Sequence, residues 1–376
     1  MPVLKGNDST YTTSSPRRRG ILTLTGAATI ACALALLAGC APSESGAEAI
    51  GVSGVNPQRP SPTTTQPAKP ATFVTSGKRQ PIGSCSVFPA DNVFHATVTS
   101  LTPRPDSASA IAAMGGQNLA VRAGFSALIW EGSRAGVPVN VVDSQTTPLR
   151  DVEGGAFAYA SDLVDHPIPD SARLEGWPGI AWDRHMLVVD TATCYSSEFF
   201  HVTPPWQNLT GRWKADTAVK FNLGSNSPGT GVSAMASGLS MIAGMVRYDE
   251  VAAGHVDHAI AVSVPVIKSG SPVWPAMASD GRSTATHAPA MGTWLRLRSN
   301  VDISRFGSQA RVVADALKRH GAIIADTNHN GIALAGEPSE NWNDADLDAL
   351  GSLTAADFEV IDPTPMMISK NSHQIR

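Results

Sequence analysis

From Cys85 onward the chain is cut into short runs of apolar and β-branched residues, separated by clusters of Gly, Pro, Asn and Asp. This punctuation constrains the fold more than any other feature, because all but one of the eight runs have four to seven residues between turn formers, too short for packed helices and suited to strands. The runs are Val93 to Val98, Val137 to Val142, His185 to Asp190, Ser197 to Val202, Thr217 to Leu223, His258 to Ile267, Thr293 to Leu297 and Ala322 to Ala325. Helices are fewer. DSASAIAA (106–113) reads as one, Ser308 to Arg319 as the clearest, with Gly321 placed to end it, and Asn343 and Thr354 are set to cap short helices over Asp344 to Leu350 and Ala355 to Phe358. No repeat or composition break interrupts 84–364, so the expectation is mainly β with a few short helices: a β-sandwich or jelly-roll-like single domain.

The N-terminal segment has another character. A polar stretch ending in Arg17-Arg18-Arg19 precedes the apolar run Ile21 to Leu37 and the tetrapeptide Leu37-Ala38-Gly39-Cys40. Basic, apolar and small residues in that order make a secretory signal over 1–39, and LAGC looks like the lipobox of bacterial lipoproteins. The sulfur of Cys40 would then carry the lipid and anchor the mature chain to the outer face of the cell membrane; an uncleaved span is the competing reading. The paired arginines are compatible with twin-arginine as well as ordinary export. Residues 40–83, including PQRPSPTTTQPAKP, cannot bury enough apolar surface to offset ordering entropy and read as a tether. Residues 365–376 read as a C-terminal tail.

Charge narrows the partners. Beyond residue 39 the chain retains 24 basic and 31 acidic side chains, net −7, which gives no footprint for nucleic acid or for an anionic membrane surface. With Cys32 in the signal and Cys40 lipidated, Cys85 and Cys194 remain. Two thiols in an oxidising compartment suggest one disulfide, against two buried free thiols.

Three segments carry residues suited to chemistry. DRHMLVVD places Asp183 and His185 on one face of a strand, where a carboxylate can set the tautomer of a general base; the plainer reading is an edge polar cluster. RYDEVAAGHVDHAIAV gathers Asp249, Glu250, His255, Asp257 and His258 ahead of a strand, where paired acids could cleave a glycoside or a solvated turn could form. Asp249, Glu250 and His258 are taken as catalytic candidates with Asp183 and His185. DTNHNGIALAGE matches a calcium-loop pattern through Asp326, Asn328, Asn330 and Glu337, although the strand before it and Pro338 after it do not suit an EF-hand. No cofactor is required on this reading, and Ca2+ is the one candidate. Eight tryptophans against four tyrosines is an unusual ratio; Trp177, Trp182, Trp206, Trp213 and Trp274 stand near Gly or Pro, where their rings could stack on sugars or plug the ends of a sandwich.

CSVFPADNVF (85–94), DRHMLVVD (183–190), GMVRYDEVAAGHVDHAIAV (244–262), MGTWLRLRSNVDIS (291–304), ALKRHGAIIAD (316–326) and ENWNDADLDAL (340–350) resemble blocks of a functionally uncharacterised family of secreted bacterial proteins, some labelled ATP/GTP-binding. The resemblance spans nearly all of 85–362 and implies that Cys85 and Cys194 pair. It implies no reaction. The nucleotide label has no counterpart in the residues, since no GxxxxGK[ST] occurs and GSNSPGTG (224–231) lacks the lysine. Two blocks depart from the family: Trp274-Pro275-Ala276 continues into Met277 where a His is usual, and Asp326-Thr327-Asn328-His329 replaces DNGS. Together these features lead to a membrane-anchored extracytoplasmic lipoprotein that recognises or processes carbohydrate, or else a non-catalytic structural or binding lipoprotein of the envelope.

Overall fold

Alternation along the strands divides the interior into layers. In a computed structural model describing residues 73, 79–229 and 232–376, all within one unit spanning 67–376, ten strands build two sheets. They are β1 (Val121–Ala123), β2 (Val139–Val142), β3 (Met186–Asp190), β4 (Tyr195–Phe200), β5 (Thr217–Asn222), β6 (Ile260–Val264), β7 (Trp294–Leu297), β8 (Ala322–Thr327), β9 (Ile332–Leu334) and β10 (Phe358–Ile361). The larger sheet has the order β1-β9-β6-β8-β7-β10, and the smaller β5-β4-β3-β2. Both are mixed, with β1/β9, β6/β8 and β2/β3 parallel and the other neighbours antiparallel.

One face of the larger sheet presents Ile260, Val262, Leu295, Leu297, Ala322 and Ile324 to a core shared with helices α1 (Ser107–Ala113) and α4 (Ser308–Arg319). Its other face presents Ala261, Trp294, Ile323 and Ala325 to a second core, which the smaller sheet joins through Val139, Leu187, Val189, Val219 and Phe221. The period of two explains both memberships, because successive side chains leave a strand on opposite faces. A third cluster, with Met186, Val188, Phe199 and Trp213, covers the outer face of the smaller sheet. The mainly-β body with few short helices is as the sequence predicts.

Helix α4 shows how local chemistry fixes an element. Ala310, Val313, Ala314 and Leu317 form its buried stripe at helical spacing. Its N-terminal N–H groups are satisfied from a distance: the Asp346 carboxylate accepts from Gln309 N at 2.9 Å and Ala310 N at 3.2 Å. A Cβ at Gly307 would lie 2.5 Å from Asp346 Oδ1, so a larger residue there would push the carboxylate away from the helix end. At the other end Gly321 adopts φ +70°, the left-handed stop expected of it.

Several expectations are corrected. Val93 to Val98 is not a strand; Val93–His95 forms a 3-10 turn capped by Asn92, and its side chains plug the inter-sheet core. Tyr248–Ala252 (α3) is a short helix where a solvated turn was one reading, and Met241–Gly244 (α2) is another short helix before it. The last residues are no free tail, because Met366 and Ile375 are buried and Ile375 N donates to Asp91 O at 2.9 Å. The tether's end is also part of the body: Phe73 joins the inter-sheet core, and Arg79 is buried against α2 and α3. Cys85 and Cys194 are joined, with Cα atoms 5.4 Å apart. The signal segment, Cys40 and most of the tether lie outside the described residues. Among the described residues no helix is long and apolar enough to cross a membrane.

Candidate functional site

The gap between the sheets opens at one end into a cleft of about 460 Å³, lined by Glu175, Trp182, Asp183, His185, Asp326 and Asn328 above an apolar base that includes Val137, Met235 and Met241. Two backbone features aim these groups. The turn before β3 holds Trp182 and Arg184 at φ +73° and +57°, placing the exposed indole of Trp182 and the Asp183 carboxylate at the mouth. In β8 the register shifts between the Val262/Ile324 and Ser263/Asp326 pairs, leaving Ala325 as an extra residue. A bulge of this kind re-aims the side chain that follows it; Asp326 therefore faces the gap, on the side of Ala325, where Ala236 N donates to Oδ2 at 3.2 Å.

His185 is held at both ring nitrogens. Nδ1 lies 2.6 Å from Glu175 Oε2 and Nε2 lies 2.8 Å from the Ala234 carbonyl oxygen. Two acceptors demand two donors, so the ring is an imidazolium. Burial alone would lower its pKa, but the Glu175 carboxylate overcomes this and raises it to about 9. Such a group has no lone pair for general-base work; it serves as a fixed positive charge. Burial pushes the half-buried Asp326 carboxyl up to about 6, against the N–H groups of Thr327 and Ala236 and the His185 charge.

The His185 value gives a signed prediction. A pKa raised on folding contributes stability that is complete below about 6.5 and is lost as pH rises through about 9. Thermal melts should show a loss on the order of 1–3 kcal/mol between pH 7 and 9.5 that is absent in His185→Gln. Equal pH slopes in the two proteins would contradict the ion pair.

The other catalytic candidates do not join this cleft. Glu250 and His258 are buried elsewhere: Arg79 Nε lies 2.9 Å from Glu250 Oε1, Arg247 Nη2 3.2 Å from the same oxygen, and His258 Nε2 3.2 Å from Oε2. Burial would raise the Glu250 pKa, but Arg79, His258 and Arg247 hold it well below the usual carboxylate range. Asp249 is exposed and pairs with Arg247 at 3.1 Å. This is a structural charge cluster, and adjacency in sequence had brought together acids that α3 points apart.

The calcium set separates as well. Asn328 Nδ2 donates to Ser263 O and Oγ, both at 2.9 Å, and to Gly331 O at 3.2 Å. Glu337 accepts from Tyr248 N at 2.7 Å and lines a different cavity with Arg247 and Asp249. Strand β9 follows Asn330 where an EF-hand would continue its loop toward a helix. Among the described residues no group of three or more His, Cys, Asp or Glu side chains is arranged to hold a metal ion.

The five tryptophans form no common platform. Trp182 is in the cleft; Trp177 lies under the guanidinium groups of Arg134 and Arg173; Trp206 meets the buried Trp213 edge to face at 5.6 Å; and Trp274 lines another cavity. Sequence reasoning missed Glu175, a single acid in a loop with no patterned neighbour, and Ser263, a polar residue inside an apolar strand. It also missed Glu198, buried between the sheets, which accepts from Ser240 Oγ at 2.5 Å and Met241 N at 2.7 Å and is pushed up to about 7 by its burial.

No protein-family model, curated protein or solved structure matches the chain.

Proposed function

We propose that this protein is a lipid-anchored, extracytoplasmic carbohydrate-binding protein whose ligand site is the cleft of Trp182, Asp183, Asp326 and Asn328. The observation that carries this reading is at Asn328, which lines the cleft: its Oδ1 is buried and has no hydrogen-bond partner among the described residues, while the amide nitrogen beside it is fully engaged. A buried acceptor without a donor is costly, and a ligand hydroxyl supplies the donor. Carboxylates at Asp183 and Asp326 accept further hydroxyls, and the exposed indole of Trp182 offers a flat face for a sugar ring. Recognition is favoured over hydrolysis because His185, the residue best placed for proton transfer, is tied at both nitrogens. The lipobox at Cys40 and the Pro-rich tether support a position outside the cytoplasmic membrane, within reach of envelope polysaccharide.

Calorimetry with oligosaccharides from bacterial envelope polysaccharides tests the proposal. Trp182→Ala is expected to weaken binding about tenfold and Asn328→Ala about fivefold. Affinity should rise as pH increases through about 6, where Asp326 ionises and becomes a stronger acceptor. Binding that is indifferent to all three changes, or no binding to any envelope oligosaccharide, would overturn the assignment.

A further inference from the structure

A second cavity, of about 580 Å³, lies at the N-terminal end of β7, apart from the cleft described above. Its walls are largely apolar, formed by Val273, Trp274, Met277, Trp294, Ile361 and Met367. The indole N–H groups are already committed: Trp274 Nε1 donates to Ser372 O at 2.9 Å and Trp294 Nε1 to His320 O at 2.9 Å. Thr293 is different. It lines the cavity, is 2 % exposed, and its Oγ1 is buried with no hydrogen-bond partner among the described residues. A β-strand entrance is an economical place for valine, so a buried hydroxyl without a partner points to a group that arrives from outside.

The rim sets the charge of that arrival. Arg104 and Lys370 are the cations and Asp362 the anion. Arg104 is bound to Asp106 through two hydrogen bonds of 2.9 and 2.6 Å, and Asp362 Oδ1 accepts from Thr364 N and Oγ1 at 3.0 and 2.7 Å. Two positive and two negative side chains balance, which favours neither an anion nor a cation. We infer that this cavity binds a neutral, mostly apolar alcohol or phenol whose single hydroxyl pairs with Thr293 Oγ1 and whose body packs on Trp274.

The probes are 2-naphthol and naphthalene, which differ by one hydroxyl, titrated calorimetrically into the full chain. Replacing Thr293 by valine keeps the shape and removes the hydroxyl. The preference for 2-naphthol over naphthalene is expected to fall about fivefold in Thr293→Val and to return in Thr293→Ser. Met367→Trp, which fills the cavity from its wall, should weaken both probes more than tenfold, whereas Trp182→Ala in the other cleft should leave them unchanged. An unchanged preference in Thr293→Val, a loss of binding in Trp182→Ala, or no binding of either probe to the unaltered chain would each overturn the inference.

Discussion

Glu250→Gln is expected to lower the stability of the folded body by about 3–5 kcal/mol, enough to bring its melting temperature down by roughly 5–8 °C. Glu250 is 1 % exposed and is the counter-charge for two guanidiniums that are themselves only 2 % and 5 % exposed, Arg79 and Arg247, with His258 completing the cluster. Neutralising the carboxylate leaves those charges buried and under-compensated, which is where large losses arise. A surface pair gives no such effect, so Asp249→Ala, which removes an exposed partner of Arg247, should cost no more than about 1 kcal/mol. The pH dependence has a definite sign: a carboxyl held low on folding contributes stability above its unfolded value near 4.5 and loses it as pH falls through the lower folded value. Thermal melts of the three proteins at neutral pH check the claim. Glu250→Gln melting with the unaltered protein would contradict the part assigned to the cluster in stability.

The second large effect belongs to the Cys85–Cys194 bridge. It closes a separation of 109 residues and ties the segment entering the inter-sheet core to the turn between β3 and β4. Chain entropy for a loop of that length gives about 4–5 kcal/mol, so the Cys85→Ser/Cys194→Ser protein should unfold at markedly lower denaturant concentration. Chemical unfolding of the oxidised chain with and without reductant measures this. Coincident transitions, or alkylation of both thiols in the native protein, would contradict the account.

These predictions also mark where the sequence was informative. Strand positions were legible because buried strands on both faces leave apolar runs, as in Met186–Asp190 and Ala322–Thr327, and because α4 keeps its stripe at helical spacing. Val93 to Val98 misled for the same reason: core-filling side chains look alike whether the backbone is extended or turned, and burial at Val93 and Phe94 comes from position between the sheets. Pairings across long separations were not legible. Nothing near Arg79 announces that a tether residue will meet Glu250, 171 positions later, and nothing near Glu175 announces that it will fix the charge of His185. Asp183, His185, Asp326 and Asn328 were each chosen for local reasons, and the bulge in β8 brings the last two to the cleft. Asn328 was chosen as a metal ligand, yet its amide nitrogen is spent on Ser263 and Gly331, and its buried oxygen has no partner among the described residues.

The most direct measurement is a crystal structure of the chain soaked with the envelope oligosaccharide that binds it best. The account predicts a sugar ring lying on the Trp182 indole, with hydroxyl groups donating to Asn328 Oδ1 and Asp326. A saccharide seated instead on the Trp206–Trp213 pair, with the Trp182 cleft unoccupied, would contradict it.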